Sequence, residues 1–427
     1  MLLVRQNFPN RALSDIPSTV QGELSSAGFG DGLVQRLAPG SSIAVGVGSR
    51  GISNIATIAK AVVDFWKSRG MHPFIFPAMG SHGAATAQGQ ADVLAHYGII
   101  EETMGCPIRS SLDVISLGTT PDGIEVFLDQ YASKADGIML VGRVKQHTDF
   151  AGKIESGLYK MMAIGLGKWA GAKNYHSHAY NIGLEAVIRS VGRKMLSGAK
   201  ILGGLAILED AYHNTSKLAA IPVGVMEQRE EELLLEVKAN APAVPLDLDI
   251  LILNEIGKNI SGAGMDTKVV NRGVYGEYNP WAHIPKVKRI FVRDLSPATY
   301  GNASGVGMAD IVTDRLAAKI DNKPTWINAL TASTPAAVRL PIHFPTDTEC
   351  LEKLFAVVGK PDKETVRVGW MHNTLEVSLM ALSANLRAEI EANPLLEIVE
   401  DAHDLPFDAE GNLITSWREA HEEVPAH

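Results

Sequence analysis

The chain has 427 residues, of which 46% are hydrophobic and 20% are charged, and its formal net charge is −9. This length is typical of two domains, and the composition excludes a disordered chain. A mildly acidic chain without a lysine- or arginine-rich stripe is not expected to bind nucleic acid, which requires a clustered positive surface.

The chain has two cysteines, Cys106 and Cys350. Two cysteines this far apart exclude a disulfide framework or a cysteine-rich zinc site. The first residues lack the apolar segment of a signal peptide, and no apolar run reaches the roughly 18–20 residues that span a bilayer. We therefore expect a cytoplasmic protein without a membrane partner.

The first half of the chain alternates buried-strand patterns with helical patterns. Apolar Ile55, Ile58, Val62 and Phe65 recur at gaps of three and four residues and predict an amphipathic helix. This alternation is the signature of a parallel sheet covered by helices. The predicted elements, in chain order, are a strand at 42–47, a helix at 53–67, a strand at 72–77, a helix at 86–97, and strands at 136–141 and 201–208.

The stretch 239–245 contains Pro242 and Pro245 and follows a charged helix predicted at 227–238, so it is interpreted as a linker. We expect domains at 1–243 and 244–427, the second with a polar tail from about residue 401. Both are predicted as α/β domains with mostly parallel, Rossmann-like sheets, and the active-site cleft is expected between them. Strands of the second domain are predicted at 248–253, 289–292 and 325–328.

Polar motifs follow three of the predicted strands of the first domain. They are Gly48-Ser49-Arg50-Gly51, Gly80-Ser81-His82-Gly83 and the run from Arg143 to His147. Parallel strands bind ligands beyond their carboxyl ends, and backbone N–H groups in glycine-rich turns suit an anion.

Each motif also has a plain structural interpretation: a turn with a solvated arginine, a serine N-cap with a structural histidine, or a solvated basic strand end. Their coincidence at equivalent positions on three strands favours a functional site. No G-x-G-x-x-G fingerprint or Walker lysine motif is correctly placed, so the pattern does not indicate a nucleotide-binding domain of either type.

The segment 147–178 is the densest in reactive side chains. Lys160 directly precedes an apolar stretch, and a lysine against an apolar wall can become a nucleophile, although it can equally snorkel from an amphipathic helix. His176 and His178 are too close in sequence to form the one-face histidine pair of a metalloprotease helix, but either could be a single metal ligand.

At these residues the chain resembles the nickel-dependent lactate racemase family, over most of its length. Gly80 and His82 match the family's Gly-Thr-His-Arg turn, and His147 with Phe150-Ala151-Gly152 is similar to its His-x-x-Ala-Gly run. Lys160 lies five residues before a glycine, as the family's lysine does. The pair His176-Ser177 matches a downstream His-Ser pair.

The resemblance implies a nickel pincer nucleotide attached covalently to Lys160, with His176, or else His178, as the nickel ligand. His82 and His147 would be the acid/base pair. Ser49, Arg50 and Gly80 would contact the cofactor. A carboxylate substrate also needs a cation, for which Arg50, Lys258 and Lys268 are candidates. The implied partners are a hydroxy acid substrate and the enzymes that synthesise the cofactor; an oligomer is compatible with the sequence.

Some positions depart from the family pattern. Val47 stands where the family has an aspartate, Gly83 stands where it has an arginine, and the glutamine and lysine pattern of the second domain is missing. These differences bear on the substrate more than on the fold.

The leading hypothesis is a 2-hydroxy acid racemase or epimerase. Removal of hydride gives a stable keto acid, and a histidine for each enantiomer can exchange the hydroxyl proton. One alternative is a nicotinamide-dependent dehydrogenase, which the missing glycine fingerprint disfavours. The other is a non-catalytic protein that binds an anionic metabolite.

Overall fold

The computed structural model describes residues 1–30, 32, 36–48, 51–148 and 150–415, without the side chain of His176. The chain divides into two compact units. The N-terminal unit is Pro9–Ala241, and the C-terminal unit combines Met1–Phe8 with the chain from Pro242 onwards.

The first strand, β1 (Leu2–Gln6), belongs to the C-terminal unit. Seven strands follow in the described part of the N-terminal unit: β2 (Ser42–Val47), β3 (His72–Pro77), β4 (Val114–Thr119), β5 (Glu125–Asp129), β6 (Gly137–Arg143), β7 (Ile201–Glu209) and β8 (Thr215–Pro222). Five of them form a sheet in the order β3-β2-β6-β7-β8, parallel except for the β7–β8 pair, while β4 and β5 form a separate antiparallel hairpin.

Strands β2, β3 and β6 of this sheet consist almost wholly of buried residues, as expected for a parallel sheet covered on both faces. The strands predicted at 42–47, 72–77, 136–141 and 201–208 and the helices predicted at 53–67, 86–97 and 227–238 are confirmed to within a few residues. The helices of the N-terminal unit are Ile16–Ser26, Ile55–Lys67, Ala87–His96, Glu101–Met104, Gln130–Lys134, Leu158–Lys160, Lys168–Ile182, Leu184–Gly198 and Met226–Asn240; the segment Met161–Gly165 is π-helical, and Gly83–Ala85 and Val223–Val225 are 3₁₀ turns.

The C-terminal unit contains one eight-stranded sheet in the order β12-β11-β10-β9-β13-β14-β1-β15. Its further strands are β9 (Leu248–Ile256), β10 (Val287–Leu295), β11 (Ile311–Thr313), β12 (Ile342–Phe344), β13 (Val368–Met371), β14 (Leu379–Leu382) and β15 (Leu396–Glu400). The strands from β12 to β13 in this order are parallel, and the other three pairings are antiparallel. Both units are therefore α/β with mostly parallel sheets, which confirms the expected fold class.

The helices of the C-terminal unit are Thr267–Val270, Asp314–Ala318, Asn322–Thr331, Asp347–Val357 and Arg387–Ala392, with 3₁₀ turns at Pro297–Thr299, Val306–Met308, Pro335–Val338, Lys363–Thr365 and Ala384–Leu386. The strands predicted at 248–253 and 289–292 are confirmed. The strand predicted at 325–328 is wrong, because this segment lies in the helix Asn322–Thr331. The Asp321 side chain caps that helix by accepting a hydrogen bond from the Lys323 N–H.

The predicted domain 1–243 needs a correction at its start. Strand β1 pairs with β14 on one side and with β15 on the other, so residues 1–8 belong to the C-terminal unit. Among the residues that the structure describes, no helix combines the length and apolar character needed to cross a bilayer.

Candidate functional site

The N-terminal sheet reverses its strand order around β2. The chain proceeds from β2 to β3 on one side, and β6 then pairs with the other side of β2. In open α/β sheets, ligands bind beyond the carboxyl ends of the strands at such a reversal. The carboxyl edge of β3, β2 and β6 is therefore where this unit would bind a ligand.

A π-helical turn, Met161–Gly165, spans this edge directly after Lys160. A β-carbon on Gly142 would lie only 2.7 Å from Met161 Cε, and one on Gly48 would lie 3.2 Å from it, so the Met161 side chain packs onto the ends of β2 and β6. A β-carbon on Gly80 would lie 2.7 Å from Ile164 Cγ2. Glycine at these positions permits this close approach. Turns of π-helix often occur at functional sites.

His82 lies in a strained turn beyond β3 and is partly exposed. It is followed by three residues with positive φ: Gly83 at 61°, Ala84 at 54° and Ala85 at 51°. The left-handed conformation is costly for alanine and is found at positions that the surrounding structure holds in place. A β-carbon on Gly83 would clash with the Gly89 backbone at 2.2 Å, so this turn is pressed against the helix Ala87–His96.

A buried polar network holds the backbone leading to His82. Lys168, whose side chain is 0% exposed, donates to the Pro77 carbonyl at 2.7 Å and to Gln90 Oε1 at 2.9 Å. Gln90 in turn donates to the carbonyls of Met79 at 3.1 Å and Gly80 at 3.0 Å. Two buried side chains thus satisfy three carbonyl groups between the end of β3 and His82.

Asp129 completes this network. Its Oδ2 lies 3.4 Å from Lys168 Nζ, and its Oδ1 accepts from the Ala132 N–H at 2.9 Å. Burial raises the pKa of the Asp129 carboxyl and lowers that of the Lys168 ammonium, while their mutual attraction opposes both shifts. A buried pair of this kind depends on both partners, because either one alone would leave an uncompensated charge.

His147 follows β6 and begins a loop closed by a buried carboxylate. Glu155, with no exposed surface, accepts from the backbone N–H of His147 at 2.6 Å and of Gly152 at 3.0 Å. Lys238 pairs with Glu155 at 2.5 Å. The His147 imidazole is partly exposed, and its ring centroid lies 4.6 Å from that of Phe150.

Lys160 ends the short helix Leu158–Lys160 and is partly exposed. The segment before it packs on buried Glu230: the Tyr159 N–H donates to this carboxylate at 3.0 Å, and a β-carbon on Gly157 would lie 2.4 Å from it. Burial raises the pKa of Glu230 to about 7. In the sequence, Lys160 thus lies between the segment that packs on Glu230 and the π-helical turn.

The helix Lys168–Ile182 contains the two candidate metal ligands. Positions 176 and 178 lie about 200° apart around it, the side chain of His176 is outside the described atoms, and that of His178 is partly exposed. Buried Tyr175 anchors the helix by accepting from the Phe127 N–H at 3.0 Å, and burial raises the pKa of its phenol to about 12. Within the described residues, no cluster of three or more histidine, cysteine or acidic side chains could hold a metal ion.

The candidate cations of the C-terminal unit are both engaged by their own unit. Lys258 follows β9, and its ammonium donates to the Gly262 carbonyl at 2.6 Å. Lys268 is buried, with its Nζ 4.0 Å from the centroid of the Trp281 ring. Their role in substrate binding stays a prediction.

Ser49 and Arg50, predicted to contact the cofactor, lie outside the described residues. The carboxyl edge gathers the segments that contain Gly80, His82, His147 and Lys160. Sequence reasoning missed the side chains that position these segments, namely Lys168, Gln90, Asp129, Glu155 and Glu230. Their burial cannot be predicted from the sequence, because each of them binds a partner that is distant along the chain.

No protein-family model matches the chain, and no curated protein matches it significantly. Among solved structures, the chain is similar to the lactate racemase apoprotein from Thermoanaerobacterium thermosaccharolyticum. The identity is 14% and the TM-score 0.49, and the match covers 88% of this chain and 94% of that one. A likeness of this size carries no argument about activity.

Proposed function

We propose that this chain is an isomerase, a racemase or epimerase of a 2-hydroxy acid, with His82 and His147 as its acid/base pair. The observation that carries the proposal is the π-helical turn after Lys160, which packs onto the ends of β2 and β6 through Met161. It brings a partly exposed lysine to the ligand-binding edge, together with the turns that contain the two histidines.

Lys160 and its surroundings suit a covalently attached cofactor. The lysine follows an anchored helical turn, so its backbone is fixed while part of its side chain reaches solvent. On the resemblance to the lactate racemase family, Lys160 would carry a nickel pincer nucleotide, with His176 or His178 as nickel ligand and Ser49, Arg50 and Gly80 as contacts. When bound, this group would supply the hydride acceptor that interconverts a hydroxy acid and its keto acid.

The histidines would move the hydroxyl proton. His82 follows β3 and His147 follows β6, two strands that flank β2, so their turns start about 10 Å apart. Two bases separated in this way can face opposite sides of one small substrate. One histidine would accept the hydroxyl proton of one enantiomer, and the other would return a proton to the opposite enantiomer.

The substrate carboxylate requires a positive partner. Arg50, which comes three residues after β2 in the sequence, is our candidate for this role. The assignment of Lys258 and Lys268 to the same role stays a prediction from the sequence. The Glu155 carboxylate, which binds the His147 backbone, and the Lys168–Gln90 network, which binds the carbonyls before His82, would keep both bases in place.

Mass spectrometry of the Lys160 peptide tests the proposal. Protein from cells that also make the cofactor-synthesis enzymes should contain nickel and a Lys160 peptide with the cofactor mass. Lys160→Ala should abolish the nickel content and the inversion of 2-hydroxy acids, followed by chiral chromatography. Lys173→Ala, at an exposed position on the helix Lys168–Ile182, should change neither. Unmodified Lys160 without nickel in such protein would refute the cofactor assignment.

A further inference from the structure

The helix Asn322–Thr331 of the C-terminal unit exposes large apolar side chains. Trp326, Ile327 and Leu330 are 55%, 56% and 73% exposed, and their spacing places them on one side of the helix. The small side chains Thr325 and Ala329 are the ones that it buries against its own unit. A surface helix ordinarily buries its large apolar residues and exposes polar ones, so this helix has the reverse arrangement.

Exposed apolar side chains also lie near both ends of this helix. Tyr300 is next to its start, because the Gly301 carbonyl accepts from the Asp321 N–H at 2.9 Å. Leu340 follows the 3₁₀ turn that packs against the helix near its end. We call Tyr300, Trp326, Ile327, Leu330 and Leu340 the helix patch. Monomeric proteins rarely expose contiguous apolar patches of more than a few hundred Å², and larger ones mark interaction sites.

The helix patch is nearly without charge. Lys323 is the single charged residue of the helix Asn322–Thr331. Nucleic acids and anionic membrane surfaces are bound by clustered cations, which this helix lacks. Interfaces between the copies of a homodimer are, by contrast, apolar at their centre and depleted in charge. The composition of the patch therefore favours contact with a protein surface that is itself apolar.

The shape of the patch suits a second copy of itself. A shallow groove of about 860 Å³ runs along the helix, and Ile320, Trp326, Ile327 and Leu330 are among the residues that line it. The same surface thus has protruding side chains and a groove beside them. A two-fold interface requires a surface that is complementary to itself, since the same residues meet from both sides. Here the Trp326 ring of each copy would enter the groove of the other.

We propose that the helix patch is the interface of a homodimer, in which the helices Asn322–Thr331 of two copies pack antiparallel about a two-fold axis near Ile327. A helix of ten residues is about 15 Å long. It would form the centre of an interface of standard size, about 800 Å² per partner, with Tyr300 and Leu340 at its margins. This interface lies in the C-terminal unit alone, so the proposal does not depend on the proposed function.

The position of Lys323 supports a second copy over an unrelated apolar partner. A cation in the first turn lies at the positive end of its own helix dipole, which is unfavourable. In the antiparallel pair, the first turn of each helix meets the last turn of the other, so each lysine would lie at a negative helix end. Trp326 and Ile327, nearest to the axis, are uncharged, so no like charges meet there.

Analytical ultracentrifugation of the full chain tests this proposal. At micromolar concentration the wild type should sediment with twice the 45.8 kDa mass of one chain. Ile327→Glu should raise the dissociation constant of the dimer at least tenfold, because it brings two carboxylates together at the axis. The matched control is Leu235→Glu, which changes another exposed apolar residue, 68% exposed on the helix Met226–Asn240, and should leave the dimer intact.

Two further variants test the geometry. Lys323→Glu is favourable for its own helix but places a carboxylate at the negative end of the partner helix, so it should weaken the dimer although the monomer folds. Ile327→Cys should form a disulfide-linked dimer on oxidation with copper–phenanthroline, whereas Leu235→Cys should not; Cys106 and Cys350 are buried. A monomeric wild type, or a dimer that persists unchanged in folded Ile327→Glu and Lys323→Glu, would overturn the proposal. A dimer lost only in Leu235→Glu would place the interface elsewhere and would overturn it too.

Discussion

His82 and His147 are positioned by side chains that are themselves buried. The backbone before His82 rests on Gln90 and Lys168, and the backbone of His147 rests on Glu155. Hydrogen bonds to charged groups in a low-dielectric interior are strong, and they fix the geometry of the groups that they bind.

The direct prediction at this scale concerns the two histidines. His82→Ala and His147→Ala should each lower the turnover of hydroxy acid inversion roughly 10²–10⁴-fold, the usual effect of losing a general acid or base. The control is His72→Ala, because His72 is exposed and begins β3 at the opposite end from His82. A His82 or His147 variant with full turnover would remove that residue from the mechanism.

A second prediction concerns Glu155. Glu155→Gln removes the charge that faces Lys238 and weakens the bond to the His147 N–H, so the free energy of unfolding should fall by about 1–3 kcal/mol. Urea denaturation measures this loss. Turnover of the cofactor-loaded protein should fall as well, because the His147 backbone is less firmly held. Unchanged stability would show that Glu155 does not hold the loop.

The candidate acid/base and cofactor residues are easier to propose from the sequence than the side chains that hold them in place. His82, His147 and Lys160 stand out because glycines or a motif surround them at strand ends. Lys168, Glu155 and Gln90 resemble any surface residue in the sequence, and their burial depends on partners such as Pro77 and Lys238, 91 and 83 residues away.

At the scale of elements, the helix Met226–Asn240 supports the segment that ends at Lys160. Glu230 of this helix is buried beneath Gly157 and Tyr159. Its folded-state pKa of about 7 exceeds the ordinary value of 4.5, so the folded protein binds the proton more tightly than the unfolded chain does.

This shift predicts a pH dependence of stability. The contribution of Glu230 is fully present below about pH 4.5 and is lost as the pH rises through about 7, a loss on the order of 3 kcal/mol. The glutamine of Glu230→Gln cannot titrate. The free energy of unfolding of the wild type minus that of this variant should therefore decrease as the pH rises from about 4.5 to about 7. Glu232→Gln, on the exposed side of the same helix, should leave the wild-type profile in place. A difference independent of pH would contradict the assignment.

The sequence predicted the strands in which nearly every residue is buried, because such strands form continuous apolar runs. Strands β2, β3, β6 and β9 are apolar over most of their length, and their patterns identified them. The segment 325–328 contains residues that favour strands, but the Asp321 cap and the hydrogen bond from Thr325 Oγ1 to the Asp321 carbonyl at 2.6 Å favour a helix. The π-helical turn has no sequence signature that we recognise.

At the scale of the whole molecule, strand β1 belongs to the C-terminal unit, although the rest of that unit follows the N-terminal unit in the sequence. Leu2 pairs with Leu382 and Arg5 with Glu397, contacts that no local pattern can predict. Each unit has a reversal of strand order with polar residues at its carboxyl edge, although only the first was recognisable, because its glycine-rich motifs directly follow apolar strands.

The placement of β1 predicts which unit a mutation there would affect. Leu2→Ala should cost about 2–5 kcal/mol, because Leu2 is fully buried. Hydrogen exchange should accelerate in β14 and β9 of the C-terminal unit and stay unchanged in β2 and β6. Leu140→Ala, fully buried in the N-terminal unit, should show the opposite pattern. Accelerated exchange in β2 after Leu2→Ala would contradict the assignment of β1.

The central claim is that the N-terminal site inverts a 2-hydroxy acid by returning the substrate's own hydride. The measurement that tests it most directly is inversion in D₂O by the cofactor-loaded protein, with deuterium at the inverted carbon read by NMR. The account predicts almost no deuterium at that carbon, because only the hydroxyl proton exchanges through His82 and His147. Full incorporation of deuterium would mean proton abstraction from carbon and would contradict the account, even if both histidines proved essential.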